Sequence, residues 1–220
     1  MPGMFAVDKP LGVSSARVVA IVKRVARQCL QERNIKVGHG GTLDPLATGV
    51  LVIAVGREYT KQLFTVVGAQ KEYIAQIQLG YYSTTDDAEG EKTVGSSHVP
   101  SLEMIHRVCA QYVGIIEQVP PIFSAIKRDG VRAYTAARRG ATVMLEPRPV
   151  RIDRILVEEY MYPTIILRIQ CGKGTYIRAL ARDIGKSLGT GAYLQALRRT
   201  RVGSYRCEQA YTMEVFQPYH

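Results

Sequence analysis

Between residues 38 and 51 the chain reads GHGGTLDPLATGVL, and its only titratable side chains are His39 and Asp44. Gly38, Gly40, Gly41 and Gly49 lie inside this stretch and Gly56 just beyond it. Glycines let a backbone come close to a ligand. A carboxylate on a loop beside a rigid strand is well placed as an aimed catalytic group. Other readings stay open on spacing alone. Asp44-Pro45 also fits a helix N-cap with proline at the first helical position, and His39 fits a loop residue without a role. A metal pair of His39 and Asp44 finds no support from the other histidines, at 98, 106 and 220, whose spacing is not ligand-like. No Gly-Lys-Ser/Thr follows the glycines, so the stretch is not a P-loop, and it does not fit the dinucleotide fingerprint. A hydrolase built on a Gly-x-Ser-x-Gly elbow is also excluded.

A second cluster, Cys171-Gly172-Lys173-Gly174-Thr175-Tyr176-Ile177-Arg178, combines two glycines with an expected helix start, a setting that favours anions. Thr175 is the expected cap. Arg178 falls off the Ile177, Leu180, Ile184 stripe by helical phase. An arginine aimed at a buried carboxylate would hold it ionised; a solvated arginine is the alternative.

The elements that must carry these groups are readable from periodicity. Residues 5–8 read as a strand, 9–12 as a turn, and Ser14 or Ser15 as the cap of a helix with Val18, Val22, Val25 and Cys29 on one face. Residues 38–41 read as a loop and 50–55 as a buried strand. Alternation over 71–79 predicts a half-buried strand with Tyr73, Ala75, Ile77 and Leu79 on one side. Residues 81–99 are polar and turn-rich. Ser101 opens a helix with Leu102, Ile105, Cys109 and Tyr112 on its apolar face. Residues 118–150 read as an excursion rich in Lys127, Arg128, Arg132, Arg138 and Arg139, with a helical stretch near 132–139. Strands follow near 150–160 and 164–171, then a helix with Ile177, Leu180, Ala181, Ile184 and Leu188, and a last strand pair at about 202–213. The class is α+β with a mixed, largely antiparallel sheet flanked by helices.

With 220 residues, 46% hydrophobic and 22% charged, the chain is of globular composition. No apolar run approaches a membrane span, and residues 1–10 lack a signal-peptide layout; a soluble intracellular protein is expected. The cysteines at 29, 109, 171 and 207 form no Cys-x-x-Cys pair, and reduced, partly buried thiols are expected. Lys and Arg exceed Asp and Glu by 29 to 19, a net +10, which a polyanionic partner would explain.

These motifs resemble, in order, those of the TruB-type pseudouridine synthases. GHGGTLDPLATGVL resembles the segment that carries the nucleophilic aspartate. Val7-Asp8-Lys9-Pro10 with Gly12-Val13-Ser14-Ser15 resembles the N-terminal motif, and Lys71-Glu72-Tyr73 the tyrosine motif. Gln118 through Lys127, then Gly130 through Tyr134 and Ala137 through Gly140, resembles the RNA-gripping insertion called the thumb. Gly174 to Gly185 resembles the late motif, and Leu197-Arg198-Arg199 with Val202-Gly203 the end of the catalytic domain. The resemblance runs from about residue 4 to 212 and implies a pseudouridine synthase fold over 1–220, with the thumb at about 118–150.

It implies further that the protein isomerises uridine 55 in the T-loop of tRNA. Asp44 would be the catalytic nucleophile, kept ionised by Arg178. Tyr73 would stack on the flipped uracil, Tyr176 and Leu197 would line its pocket, and His39 would stack where the base has left. Lys9 and Pro10 would buttress the Asp44 loop. Arginines of 127–154 and 198–201 would meet phosphates. No metal, cofactor or guide RNA is expected, and the enzyme would be a cytoplasmic monomer. Many bacterial relatives continue into a C-terminal PUA domain, whereas this sequence stops at His220, either because the protein is short or because the sequence is cut; a tight grip on the acceptor side of tRNA is not implied. The competing expectation is a non-catalytic tRNA-binding or tRNA-folding protein on the same fold.

Overall fold

A computed structural model describes residues 2–123, 127–128, 131–132 and 145–216, with 127–128 and 131–132 as backbone only. The expected helical stretch near 132–139 and most of the expected thumb lie outside the described residues. The elements are β1 (Gly3–Lys9), α1 (Ser15–Leu30), β2 (Val37–His39), β3 (Ala47–Val55), α2 (Arg57–Lys61), α3 (Leu63–Gly68), β4 (Lys71–Leu79), β5 (Tyr81–Ser83) and β6 (Lys92–Val94). Then come α4 (Leu102–Gln111), β7 (Gly114–Gln118), β8 (Lys127–Arg128), β9 (Val131–Arg132), β10 (Arg148–Met161), β11 (Thr164–Cys171), α5 (Ile177–Ser187), β12 (Ala192–Val202) and β13 (Tyr205–Arg206). The class is α+β with a mixed, mostly antiparallel sheet in which β12 runs parallel to β3, as expected. No helix among the described residues is long and apolar enough to cross a membrane.

The chain forms two compact units, residues 1–74 with 197–220, and residues 75–196. In the first, β3 pairs antiparallel with β1 and β2 and parallel with β12. Leu51, Ile53 and Val55 pack with Val18, Val22 and Ala26 of α1 on one face of β3, and Val50 and Val52 with Val66 and Val202 on the other. Burial on both faces explains the unbroken apolar run of this strand. Each fully buried Val, Leu or Ile contributes about 1.5–3 kcal/mol. Ser14 caps α1 by accepting from the Arg17 amide. The buried stripe of α1 differs from the expected one: Ala26 takes the place of Val25, and Cys29 is exposed. Gly38 and His39 are not in a loop but on β2, paired with Ala54 and Ile53.

In the second unit the strand order is β4-β11-β10-β7. The predicted alternation of β4 holds: Tyr73, Ala75, Ile77 and Leu79 are buried. α4, capped by Ser101, buries Ile105, Val108 and Cys109, while the expected face residue Leu102 is exposed. α5 buries all five expected apolar positions, from Ile177 to Leu188. The segment read as turns over 81–99 contains the β5–β6 hairpin. The last strand pair lies earlier than predicted, at 192–206, and 207–209 and 213–216 are short 3-10 helices.

Candidate functional site

In the first unit, the backbone around Asp44 is held carbonyl by carbonyl. The guanidinium of Arg199 donates to Gly41 O at 3.0 Å, Thr42 O at 3.4 Å and Val50 O at 2.7 Å. Ser15 Oγ donates to Leu43 O at 2.9 Å and accepts from Leu43 N at 2.8 Å. Asp44 O accepts from Ala47 N at 3.0 Å and Pro45 O from Gly12 N at 2.8 Å. Lys9 Nζ donates to Pro10 O, Val13 O and, at 3.4 Å, Pro45 O. Lys9, Ser15 and Arg199 are all buried, as are Leu43 and Leu46, so the segment is clamped from below and pinned by its own apolar residues. Asp44 itself is half-buried. It does not cap a regular helix: residues 42–44 are irregular and β3 begins at Ala47.

Local sequence explains the close packing. At Gly49, φ is 100° and a Cβ would lie 2.2 Å from the Arg199 carbonyl oxygen, so only glycine lets β3 and β12 pair there. At Gly40 a Cβ would strike Val66.

Burial lowers the Lys9 ammonium to about 8, with Asp44 pulling it up and Arg199 pushing it further down. Burial also holds the His39 imidazole below its ordinary value, and the Arg199 charge acts in the same direction. At neutral pH His39 is therefore the uncharged ring. It is half-buried on β2, and its Nδ1 has no partner among the described residues. Leu197 is half-buried on β12, paired with Ala47, and its carbonyl accepts weakly from Thr48 Oγ1. Pro10 is exposed. Tyr73 is 7% exposed on β4.

In the second unit, Tyr176 and Arg178 sit at the start of α5. Thr175 is not the cap. Tyr176 is the N-cap residue, and its amide is satisfied from 58 residues away by Gln118 Oε1 at 2.9 Å. Gln118 Nε2 returns a bond to Tyr176 O at 3.2 Å. Arg178 is 6% exposed, so the solvated reading does not hold. It lies 3.5 Å from the Asp87 carboxylate and donates to Phe123 O at 2.9 Å. Asp87, 3% exposed, also accepts from Glu89 N and Thr85 Oγ1. Next to it Arg182 pairs with Asp86 at 2.8 Å and Asp183 at 2.9 Å, and donates to Val119 O. Burial pushes the Asp86 carboxyl up, against the pull of Arg182.

Three residues escaped the sequence reading. Ser15 was visible as a candidate cap and as the end of the N-terminal motif, not as the partner of Leu43. Asp87 lay in a segment read as solvated turns. Arg199 was read as a phosphate contact, yet it is 1% exposed and turned inward. Its neighbour Arg198 is half-exposed and holds Asp8 with two bonds, of 2.7 and 3.1 Å. No group of three or more His, Cys, Asp or Glu among the described residues is placed to hold a metal.

The fold is that of the pseudouridine synthases. It superposes on a chain of a Cbf5-Nop10-Gar1 complex with a TM-score of 0.73 and 32% identity, over 96% of this chain and 52% of that one. A chain of an H/ACA RNP bound to a substrate RNA containing 2'-deoxyuridine matches at 0.70 and 30%, over 96% of this chain and 51% of that one. The protein belongs to the TruB family: the family model for TruB family pseudouridylate synthase (N terminal domain) matches residues 27–177, and that for the tRNA pseudouridylate synthase B C-terminal domain matches residues 178–220. The tRNA pseudouridine synthase B of Mycobacterium leprae (strain TN) is 46% identical over 224 residues, which cover 97% of this chain and 68% of that protein. The protein of the same name from Phocaeicola vulgatus is 46% identical over 211 residues, covering 95% of this chain and 89% of the relative.

Proposed function

We propose that this chain is an isomerase that converts uridine 55 in the T-loop of tRNA to pseudouridine, acting alone, as a cytoplasmic monomer, without guide RNA, metal or cofactor. Family membership supports the reaction class. The reaction breaks the N1–C1′ bond, turns the uracil, and joins C5 to C1′; C5 loses a proton and N1 gains one. It is redox-neutral and needs no energy source. The target base must first leave its stack.

Asp44 is the nucleophile in this reading. The observation that carries it is the complete set of donors to the carbonyls of residues 41–45, which fixes where the Asp44 side chain starts from. Such preorganisation is what an aimed carboxylate requires. Arg178 holds the carboxylate ionised, Tyr73 stacks on the flipped uracil, and Tyr176 and Leu197 line the pocket. The neutral His39 ring takes the place the base has vacated, and Lys9 and Pro10 buttress the loop. We read residues 1–220 as one catalytic domain that grips RNA through 118–150.

The test is tritium release from tRNA carrying 5-³H-uridine. Asp44→Asn is expected to abolish release while tRNA binding persists. Undiminished release would overturn Asp44 as nucleophile, and a wild type that binds tRNA but releases nothing would favour the binding or folding protein.

A further inference from the structure

Arg199 sits in a run of basic residues, 198, 199 and 201, that reads as an RNA-facing patch. Its surroundings do not fit that role. The side chain is 1% exposed, and its three hydrogen bonds all go to backbone carbonyls rather than to a carboxylate. In this structure the guanidinium is covered by the loop carbonyls that it bonds and is closed to a phosphate. The backbones of β3 and β12 meet at the Arg199–Gly49 pairing with no room for a Cβ.

The three carbonyls are not scattered. Gly41 and Thr42 precede Asp44 and Val50 follows it, so one rigid fork ties the two ends of the segment together. From the other side Ser15 takes both polar groups of Leu43. Asp44 O and Pro45 O are satisfied by Ala47 N and Gly12 N. The planar guanidinium presents donors in fixed directions, a geometry that an ammonium at the end of a flexible stem cannot reproduce.

We infer that Arg199 is a positioning residue for the reaction: it sets the Asp44 carboxylate through the loop backbone and makes no contact with RNA. The inference rests on Asp44 being the nucleophile.

The experiment compares wild type, Arg199→Lys and Asp44→Asn as full chains. It follows single-turnover tritium release at saturating enzyme, tRNA affinity across a salt series, and thermal melting. Arg199→Lys is expected to slow release about 100-fold, the scale set by an ångström of misplacement. Its tRNA affinity and the salt slope of that affinity should match wild type, since no phosphate contact is lost. Weaker binding with a shallower salt slope, and a rate restored at saturation, would overturn the inference in favour of a phosphate contact. A rate loss that merely follows the unfolded fraction seen in melting would overturn it in favour of a structural role. Wild-type protein supplies a second measurement should the variant not fold. Arg199 is expected to resist phenylglyoxal with and without tRNA, whereas labelling that tRNA suppresses would sink the inference. Asp44→Asn keeps the two failures apart: its full activity would remove the nucleophile reading, while the Arg199 results report on the clamp alone.

Discussion

The Asp44 segment and the Asp86–Asp87 turn are both irregular, polar and centred on carboxylates, yet ion pairs enter their support differently. Around Asp44 the holding groups are cations and a hydroxyl, Lys9, Arg199 and Ser15, and they bond to carbonyls. What they fix is a length of backbone. Around Asp87 ion pairs are added to backbone bonds: Arg178 against Asp87 and Arg182 with Asp86 and Asp183, beside Ser83 Oγ on Asp87 O and Leu194 N on Asp86 O. The charged ends of the side chains are fixed there as well as the backbone. The difference matches the tasks proposed for the two places. A nucleophile must be aimed, and these bonds act on the backbone that carries it. A guanidinium that serves as a counter-charge can be restrained directly, because it has donors to spare.

This contrast can be broken from either side. The largest effect is expected from Asp87→Ala, which takes the Asp87 carboxylate away from the buried Arg178 guanidinium. It should cost about 3–5 kcal/mol of unfolding free energy, read from denaturant midpoints, and a loss under about 1 kcal/mol would mean that Asp87 is not what holds Arg178. Next comes Ser15→Ala, which strips the partners from the amide and carbonyl of Leu43. About 2 kcal/mol is expected, together with a slower single-turnover rate in the fraction that stays folded. An unaltered rate would show that the backbone clamp does not matter to Asp44. The smallest effect is expected from pH. Lys9 has a folded pKa of about 8 against an ordinary 10.5, so between these values the unfolded chain binds the extra proton. The stability contribution of Lys9 therefore rises with pH through that window. Activity should move the other way, because the neutral amine has one donor fewer for its three carbonyls. A pH–rate profile should fall with a midpoint near 8; a profile flat to about pH 9.5 would remove Lys9 from the aiming of the loop.

How much of this was legible in the sequence depends on how local the cause is. The alternation of β4 and the Ser14 and Ser101 caps depend on residues within a turn or a strand, and they were read correctly. The stripe of α1 was misjudged at two positions, Val25 and Cys29, because Ala26 is small and carries little hydrophobic signal although it is buried. Thr175 has the chemistry of a cap, but Gln118 reaches the same amide from β7, and no local pattern announces a partner so distant. Gly38 and His39 looked like loop because glycine is a poor strand former; the pairing of β2 with β3 overrides that preference. Asp44, Tyr73 and Arg178 were given site roles by motif, whereas Ser15 and Arg199 lay in motifs without an inward role and Asp87 in none, since polar residues are assumed to face water until tertiary packing shows otherwise.

The inward turn of Arg199 has a consequence for how the protein meets its partner in solution. Lys9, Lys71, Arg178 and Arg199 are all buried, so part of the formal +10 is interior charge. Long-range steering depends on the potential that emerges into the solvent. Arg198 and Arg199 are neighbours in the chain, yet on the pleat of β12 one is open to water and the other is sealed beneath the loop. The encounter rate with a polyanion is thus governed by a smaller outward charge than the composition suggests, and the parity of a position along a strand decides whether a cation recruits RNA or organises the enzyme that acts on it.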